Sequence, residues 1–373
     1  MLLSSKMLFI KKTLQNIFKL VSYGIFEIIY GKIKGKVNFN NDNVEIKSAN
    51  FTKDISYKIF IANKSRLYTD TIHDTAVIYK DKIVEGASFQ LRDNVNVHCE
   101  QNIIFKKGTP RFKKKLNGTV LSLLTGGGGN SNYWHWLFDV LPRLAIVKKK
   151  LDLKNIDFFL FPDVKEKFQI ETIKALNIPI EKCISSIYFR HISAEKIICT
   201  DHPYNFKNDP DMDSLNIPDW IISFLRESFL QKNQDSKTNL PKYVYIDRSD
   251  SKSGHKHLRK ILNEDNVRNF LEKIGFSFIT LGNQKFNDQV KIFNNAKCIV
   301  GLHGAGFTNL VFCKAGTRVI ELQSDTAGDM FKNLALKNNL NYENISIKPK
   351  TILQNNQLGD IEIPIKTLEK MFA

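Results

Sequence analysis

The sequence has few cysteines, and their arrangement argues against two kinds of structural support. The 373 residues include five cysteines, which are scattered along the chain and form no C-x-x-C pair. We therefore expect neither a disulfide framework nor a zinc site. The pattern predicts reduced, mostly buried thiols, which favours a cytoplasmic protein.

The sequence also lacks an uninterrupted apolar run that is long enough to span a membrane. The longest apolar stretch, Leu14 to Tyr30, is interrupted by Lys19 and Glu27. No small-residue cleavage site follows it, so the pattern does not predict a signal peptide. Two interpretations stay open for residues 1–36, an interfacial helix on a membrane surface or a helix docked on its own domain. Both are compatible with a cytoplasmic protein, and the first predicts peripheral contact with the inner face of the membrane.

Acidic residues are scarce relative to basic ones. Lysine and arginine number 55 against 38 aspartates and glutamates, which gives a net charge of +17. This surplus predicts a surface attracted to polyanions such as nucleic acid, anionic lipid headgroups or phosphorylated substrates. The sequence contains no zinc finger, RNA-recognition signature or basic-helix pattern, and its charges are spread along the chain. A nucleic-acid-binding protein is kept as an alternative, and we expect no nucleic acid among the partners.

The glycine clusters match neither of the two common nucleotide fingerprints. The chain has no GxGxxG turn after a strand and no GxxxxGK[ST] loop. This absence argues against a nicotinamide-dependent enzyme and against an ordinary nucleoside triphosphatase.

Length and periodicity predict two α/β domains. With 42% hydrophobic residues, a chain of this length can bury two cores. From residue 119 onward strands alternate with helices, a pattern typical of parallel sheets with helices on their faces. The polar stretch 231–241 ends in a proline and is the candidate linker. We expect an N-terminal amphipathic segment over 1–36, a first domain over 37–235 and a second over 236–373.

Short β-like runs separated by polar turns occupy residues 37–118, for example Thr75–Tyr79 and Asn102–Phe105. Apolar residues at helical spacing predict a helix over Tyr133–Lys150. Further strands are predicted at 119–124, 157–161, 184–188, 194–199, 243–246, 277–280, 298–301 and 318–322. Further helices are predicted at 165–176, 259–274 and 286–294, and from residues 306 and 329.

A strand, a glycine turn and a helix within Lys297–Leu322 form the clearest candidate for anion binding. The apolar strand CIVG leads into HGAG, where open α/β sheets bind ligands beyond their strand ends. Glycine permits close backbone approach, and a helix N-terminus favours a phosphate or diphosphate. His303 can add a hydrogen bond to such an anion. The alternative is a tight turn over a buried imidazole.

Two arginines and a glutamate are predicted near the same sheet edge. Arg248 directly follows a strand, and Arg259 is placed at the start of a helix. Their planar guanidinium groups match a diphosphate through charge-assisted hydrogen bonds. Arg259 in a surface ion pair is the alternative. Glu321, near the end of the strand RVIEL, can accept hydrogen bonds from ribose hydroxyls or pair with a lysine.

The stretch TGGGGNSNYWHWLFD joins a glycine run to a histidine and a carboxylate. His135 and Asp139 are four residues apart, so on a helix they share one face close to the glycine turn. Such a pair can remove a proton from an alcohol when one group orients the other. The structural alternative is that His135 packs or caps while Asp139 pairs with Arg143.

The run DPDMD at Asp209–Asp213 resembles the carboxylate pair of metal-dependent transferases. Its asparagine- and proline-containing surroundings favour a solvated loop. We therefore expect no metal site there.

Three blocks taken together resemble glycosyltransferase family 61: NYWHWLFDVLPRL, YIDRSDSKSGHKHLRKILNEDNV and LHGAGFTNLVFCKAGTRVIEL. The resemblance covers about residues 119 to 345. It implies an α/β fold of GT-B type, with two Rossmann-like domains facing a central cleft, here carrying an N-terminal helical and β extension. It also implies an inverting enzyme that uses a nucleotide-sugar donor and no divalent metal.

The resemblance assigns roles to individual residues. It makes the first domain the acceptor side and the second the nucleotide-sugar-binding domain, and it leaves open which catalytic candidate takes the proton. The four-glycine run is longer than the family pattern, and we expect it to widen the acceptor side. The implied catalytic residues are His135 and Asp139, the donor-binding residues are Arg248, Arg259, His303, Gly304, Ala305, Gly306, Asn309 and Glu321, and the acceptor-side residues are Gly128, Gly129 and Asn132.

The expected function is transfer of a sugar, from a donor expected to be UDP-linked, to a glycan acceptor in capsule or lipopolysaccharide synthesis. The expected partners are the nucleotide sugar, a glycan or lipid-linked acceptor and the membrane surface. No cofactor is expected beyond the donor itself. A non-catalytic sugar-nucleotide-binding scaffold is the other alternative.

Overall fold

The computed structural model describes residues 2–37, 43–69, 75–89, 91–92, 95–96, 99–124, 131–204, 215–230, 240–249, 259–350 and 359–373. The chain divides into two compact units. The first comprises Met1–Ser131, Phe138–Val164 and Pro179–Pro210, and the second comprises Asn132–Leu137, Lys165–Ile178 and Asp211–Ala373. The predicted first domain, 37–235, includes three segments that belong to the second unit: 132–137, 165–178 and 211–235. Residues 231–239 of the proposed linker lie outside the described residues.

The strands of the first unit are β1 Gly35–Lys36, β2 Val44–Asn50, β3 Ser56–Thr69, β4 Thr75–Tyr79, β5 Lys82–Ile83, β6 Leu91–Arg92, β7 Val95–Asn96, β8 Lys114–Lys115, β9 Thr119–Ser122, β10 Phe158–Phe161, β11 Cys183–Ser185 and β12 His191–Thr200. Those of the second are β13 Tyr243–Asp247, β14 Ser277–Thr280, β15 Cys298–Leu302, β16 Arg318–Ser324 and β17 Asn341–Ile347.

The helices of the described residues are α1 Leu2–Tyr30, α2 Ile104–Lys107, α3 Tyr133–His135, α4 Pro142–Lys148, α5 Lys167–Ala175, α6 Asp219–Phe229, α7 Glu264–Lys273, α8 Phe286–Asn295, α9 Met330–Lys337 and α10 Ile365–Lys370. A π-helical turn spans Trp136–Val140, and short 3₁₀ turns occupy Cys99–Gln101, Leu153–Asn155, Ile180–Lys182, Leu281–Asn283 and Ala305–Phe312.

The first unit is built on a mixed sheet with the order β1-β5-β4-β3-β12-β9-β10-β11. Strands β12, β9, β10 and β11 are parallel, as their alternation with helices predicts. The long strand β3 runs antiparallel to β12 and carries β4 and β5 on its other side. Val120, Leu160 and Ile197 are fully buried in the core of this sheet. The fold is therefore α/β, with an antiparallel half that helix alternation did not predict.

The predicted strand Asn102–Phe105 is wrong, because Asn102 and Ile103 connect the 3₁₀ turn Cys99–Gln101 to α2, which begins at Ile104. The side chain of Asn102 accepts a hydrogen bond from the Ile104 amide (3.1 Å) and donates one to the Thr75 carbonyl (3.2 Å). A local side-chain cap thus competes with the β propensity of Ile103 and Ile104.

Helix α1 is docked on the first unit through its C-terminal end. Tyr30 packs edge-on against His191 (4.9 Å between ring centroids), and its hydroxyl accepts a hydrogen bond from the Lys113 amide (3.0 Å). The side chain of Arg66 donates to the Tyr30 carbonyl (3.3 Å). Among the described residues, none of the helices is both long enough and apolar enough to cross a membrane.

The second unit contains a five-stranded parallel sheet with the order β14-β13-β15-β16-β17. Counted along this unit, the order is 2-1-3-4-5, which is a doubly wound arrangement. The direction of winding reverses between β13 and β15, and ligands of open α/β sheets bind beyond the carboxyl ends of the strands at that point. The fold alone therefore predicts a ligand site at the residues that follow β13 and β15.

His191 makes the stability of the first unit sensitive to acid. Its Nδ1 donates to the Arg111 carbonyl (2.8 Å), and Nε2 has no hydrogen-bond partner within the described part of the chain. Burial lowers the pKa of His191 from its usual 6.5 to about 4. The unfolded state therefore binds more protons between these values, and stability falls as the pH is lowered through this range.

We expect this residue to contribute a slope of up to about 1.4 kcal/mol per pH unit to the unfolding free energy between pH 6.5 and 4. His191→Phe removes the titrating group, so the variant should show a shallower pH dependence in urea denaturation. Equal slopes for the two proteins over this range would contradict the assignment.

Candidate active site

The predicted anion-binding residues meet at one edge of the second sheet. Strands β13 and β15 are neighbours, with Ile246 paired to Gly301, so Arg248 and His303 leave the sheet side by side. The guanidinium Nη1 of Arg248 donates to the His303 carbonyl at 3.0 Å. This edge is the point where the sheet reverses its winding. The structure thus brings together two residues that are 55 positions apart.

The two glycines of the HGAG turn differ in how closely their neighbours approach. A Cβ at Gly304 would lie 3.4 Å from the guanidinium carbon of Arg248. A Cβ at Gly306 would lie 3.0 Å from both Ile246 Cγ2 and Leu281 Cδ1. Gly306 therefore lets the turn approach strand β13 closely, whereas a Cβ at Gly304 would make an ordinary contact with Arg248.

After the turn, the chain forms a 3₁₀ helix over Ala305–Phe312 in place of the expected α-helix. Asn309 is fully buried there and accepts a hydrogen bond from the Tyr133 hydroxyl at 2.7 Å. Its amide nitrogen donates to Gln289 Oε1 (3.1 Å) and to the Gly306 carbonyl (3.3 Å). Burial raises the pKa of Tyr133, so its hydroxyl remains a donor. These contacts indicate that Asn309 fixes the shape of the turn.

A buried carboxylate holds the histidine of the turn. Nδ1 of His303 lies 2.6 Å from Glu321 Oε1, and the Tyr342 hydroxyl donates to Oε2 of the same carboxylate at 2.6 Å. Glu321 is fully buried and His303 is 3% exposed. Burial, reinforced by the charge of Glu321, raises the pKa of Tyr342. The carboxylate therefore orients His303, and its contact with a ribose stays a prediction.

A cavity of about 530 Å³ opens beside this edge. Its size is within the usual range for small-molecule sites. It is lined by Tyr245, Asp247, Arg248, Ser249, Arg259, Lys260, Ile261, Glu264, Asp265, Arg268 and Leu302.

Two arginines that line this cavity, Arg248 and Arg259, are close enough for their positive charges to repel each other. Burial, together with the nearby charge of Arg248, lowers the pKa of Arg259 to about 10, and the charge of Glu321 acts in the opposite direction. Arg259 remains a cation at neutral pH, so two guanidinium groups that disfavour each other line one cavity. Asp247 is paired with Arg268 at 3.1 Å, and Glu264 accepts a hydrogen bond from Tyr245. An anion bound here would relieve the repulsion between the arginines.

Arg259 does not begin a helix, contrary to prediction. Helix α7 begins at Glu264, because Ile261 pairs with Ile361 in an isolated parallel bridge. Asn263 is held by the backbone of Ile363 through two hydrogen bonds (2.8 and 2.9 Å). The segment before α7 is therefore tied to the C-terminal region of the chain, and this fixes the position of Arg259.

The glycine run lies outside the described residues, whereas the helix that follows it is described. Gly128 and Gly129 lie outside the described residues, as does the run Asp209–Asp213. Asn132 caps α3, where its side chain accepts hydrogen bonds from the amides of Trp134 (2.9 Å) and His135 (3.4 Å). His135 is half-buried and belongs to the second unit. Within the described ranges, no group of three or more His, Cys, Asp and Glu side chains is arranged to hold a metal ion.

The regular helix predicted over Tyr133–Lys150 is interrupted by the π-helical turn Trp136–Val140. Pro142 follows this turn and has no N–H to donate to the preceding backbone, which breaks the α-helical ladder. Single π turns of this kind are frequent at functional sites. Asp139 lies within the turn, so the simple α-helical spacing from His135 does not describe its surroundings.

Asp139 lies in a buried polar network of the first unit. Its Oδ1 accepts a hydrogen bond from the Tyr204 hydroxyl, and Oδ2 lies 3.8 Å from His202 Nε2. The Tyr204 amide donates to His202 Nδ1 at 3.4 Å. Arg143 Nε donates to the Asp139 backbone carbonyl at 3.2 Å. The arrangement pairs a carboxylate with an imidazole and a phenol, which are groups that can relay a proton.

His202 and Tyr204 were missed by sequence reasoning, although a signal was present. They follow directly after β12, which is parallel to β9, the strand that ends just before the glycine run. Because parallel strands end at the same edge of a sheet, the motif HPY after β12 could have been placed at the edge where β9 ends.

Comparison with known proteins gives the family. A sequence model described as Glycosyltransferase 61 matches residues 133–320, which is half of the chain. The chain belongs to the glycosyltransferase 61 family. This confirms the resemblance inferred from the three sequence blocks. The matched stretch contains every described donor-site candidate except Glu321, which directly follows it.

Two curated relatives are glycosyltransferases by name. A xylan glycosyltransferase of Arabidopsis thaliana is 31% identical over 124 residues, which is 31% of this chain and 24% of the relative. The EGF domain-specific O-linked N-acetylglucosamine transferase of Mus musculus is 30% identical over 89 residues, 22% of this chain and 17% of the relative. The chain thus spans at most about a quarter of the length of these relatives.

The hydrogen bonds around Glu321 should make a measurable contribution to the free energy of unfolding. Tyr342→Phe leaves one oxygen of a buried carboxylate without its donor, and we expect the unfolding free energy to fall by about 1–3 kcal/mol. Tyr243→Phe is the matched control, because Tyr243 is 42% exposed at the start of β13, and its effect should stay within about 0.5 kcal/mol. Urea denaturation compares the two variants, and equal effects would show that the Tyr342 hydroxyl does not support Glu321.

Proposed function

We propose that the protein is an inverting glycosyltransferase whose donor is a nucleoside diphosphate sugar, with UDP as the nucleoside diphosphate. The observation that carries this proposal is the convergence of Arg248, Arg259 and the HGAG turn where the second sheet reverses its winding. Family membership supports glycosyl transfer, and the cavity supports an anionic donor.

The proposed donor site uses fixed positive charge. Arg248 and Arg259 bind the diphosphate, and His303, oriented by Glu321, donates a hydrogen bond to a phosphate oxygen. The cavity of about 530 Å³ accommodates the nucleoside beside them. Preorganised donors of this kind each contribute on the order of 3 kcal/mol to stabilising a transition state with a charged leaving group. The proposal therefore assigns no role to a divalent ion.

The proposed reaction is a single displacement at the anomeric carbon. The acceptor hydroxyl oxygen forms the new bond to this carbon while the bond to the diphosphate oxygen breaks. The hydroxyl proton passes to a base of the protein, and the electron pair of the broken bond leaves with the nucleoside diphosphate. Attack from the face opposite the leaving group inverts the configuration.

The surroundings of the two catalytic candidates suggest different roles. His135 is half-buried, whereas Asp139 is 4% exposed and accepts a hydrogen bond from Tyr204. A base must reach the substrate, so we assign proton removal to His135 and an orienting role to Asp139 within its network. This assignment is part of the proposal and is tested separately from donor binding.

The proposed acceptor is a glycan of a surface polysaccharide, as in capsule or lipopolysaccharide synthesis, carried on a lipid. The excess of positive charge and the exposed apolar residues of α1 support an acceptor held at an anionic membrane surface. We further propose the GT-B arrangement implied by the family resemblance, in which the second unit binds the donor and the first unit binds the acceptor.

Donor binding can be measured before an acceptor is known. In calorimetry with UDP, GDP and CDP, we expect UDP to bind most tightly and Arg248→Ala to weaken UDP affinity by about 10- to 100-fold. Arg318→Ala is the matched control, because Arg318 lies at the opposite end of the same sheet, where it pairs with Glu343 (2.6 Å). Unchanged affinity in Arg248→Ala, or no binding of any nucleotide by the wild type, would contradict the donor site.

Release of UDP from UDP-sugars distinguishes an enzyme from a binding scaffold. We expect His135→Gln and Asp139→Asn to lower the turnover rate by about 10²- to 10⁴-fold, because each change disturbs proton removal. Their UDP affinity, measured by calorimetry, should equal that of the wild type. A wild-type protein that binds UDP-sugars but releases no UDP, with or without glycan acceptors, would favour the scaffold.

A further inference from the structure

Helix α1 exposes a continuous stripe of large apolar side chains. Six of them recur at spacings of three and four residues, which places them on one face of a helix. Their exposure ranges from 50% to 87%. The stripe consists of Ile10, Leu14, Ile17, Val21, Ile25 and Ile28, with Phe18, Leu20 and Ile29 exposed beside it.

The opposite face of α1 is the one that contacts the first unit. Phe26 packs edge-on against Phe112 with 5.1 Å between ring centroids, and Tyr30 packs against His191 at 4.9 Å. At 100° per residue, Phe26 and Tyr30 lie about half a turn from the middle of the stripe. The docking contacts therefore turn the apolar stripe outward.

A basic and aromatic rim adjoins the docked end of α1. One depression of about 460 Å³ is lined by Arg111, Phe112, Lys114, Ile187, Tyr188, Arg190 and His191. A second, of about 290 Å³, is lined by Ile29, Tyr30, Lys64, Ser65, Arg66, Ile78, Lys80, Lys113 and Ser193. None of these lining residues is acidic. Phe112 is 79% exposed and Tyr188 is 71% exposed.

We propose that the stripe and the rim together form a docking surface for an anionic phospholipid bilayer, with α1 lying in the plane of the interface. An in-plane helix buries its apolar face at the boundary between acyl chains and headgroups. Exposed aromatic side chains such as Phe112 and Tyr188 suit the same depth. The lysines and arginines of the rim attract anionic headgroups. The apolar, aromatic and basic features thus fit one occupant.

Charge argues against a second copy of the chain as the occupant. Residues 10–30 of α1 include three lysines, Lys11, Lys12 and Lys19, and a single acidic residue, Glu27. Pairing two such helices brings like charges together, and each chain carries a net charge of +17. An anionic bilayer instead neutralises this charge.

The docking surface adds to the proposed function the place where the enzyme contacts a membrane. The docking proposal rests on the proposed function only for the nature of the acceptor. Lipid binding is measured without donor or acceptor, so the two proposals can fail independently. Vesicle binding without UDP binding would refute the donor site alone, and UDP binding without vesicle binding would refute the docking surface alone.

The experiment is flotation of the full chain with phosphatidylcholine vesicles that contain or lack phosphatidylglycerol. We expect binding to the anionic vesicles and little binding to the neutral ones. Lys113→Glu with Lys114→Glu should weaken binding by at least about 25-fold, since each basic residue near the surface accounts for roughly fivefold. Phe18→Asp with Ile25→Asp should abolish it.

Matched controls carry the same changes at exposed positions of the second unit. Leu336→Asp is the control for the apolar change, since Leu336 is 54% exposed. Lys174→Glu with Lys273→Glu is the control for the charge change, and both lysines are exposed. Both controls should bind anionic vesicles as the wild type does. Ile28→Asp, at a side chain that is 87% exposed, provides a milder change if the double variant in α1 fails to fold by circular dichroism.

Three outcomes would overturn the proposal. The first is wild-type protein that does not float with anionic vesicles. The second is equal binding by the wild type and the folded variants of the stripe and the rim. The third is a concentration-dependent dimer in sedimentation velocity that Phe18→Asp dissolves, which would assign the stripe to a second copy of the chain.

Discussion

The second unit depends on a carboxylate that is held completely away from water. Glu321 is fully buried in β16, and its two oxygens engage His303 and the Tyr342 hydroxyl. A buried carboxylate without such partners would cost several kcal/mol, so the three residues specify one another. The fixed imidazole then defines the HGAG turn, whose carbonyl receives Arg248. One buried charge thus links the interior of the sheet to the edge where a ligand can bind.

Each unit contains an imidazole beside a carboxylate at the end of a parallel strand. In the second unit, His303 follows β15 and faces Glu321; in the first, His202 follows β12 and faces Asp139. The distance between the imidazole nitrogen and the carboxylate oxygen is 2.6 Å in the His303 pair and 3.8 Å in the His202 pair. The tighter pair suits a rigid anion-binding turn. The looser one, with Tyr204 on the same carboxylate, suits a network through which a proton is exchanged.

Sequence patterns predicted much of the second unit, because its strands and glycine turn can be recognised within short stretches of sequence. Strand β14 was predicted to the residue, and the convergence of Arg248 with HGAG follows from the fact that parallel strands end at one edge. Strand β17, NYENISI, was missed because its polar residues mask the alternation of a half-buried strand. The pairing of β3 with β12 was not predictable, since it joins residues more than a hundred positions apart. The π turn at Asp139 was also missed, although Pro142 marks the place where the α-helical ladder fails.

The interleaving of the two units along the chain has a practical consequence. The second unit borrows two early segments, and these supply parts of its own interior. Tyr133 bonds to Asn309, Trp136 bonds to Thr172, and Glu171 accepts a hydrogen bond from the Phe286 amide at 2.5 Å. A shortened chain that begins at residue 236 would lack all of these partners except Asn309 and Phe286. Separate production of the second unit therefore requires a rearranged gene that carries residues 132–137 and 165–178 with it.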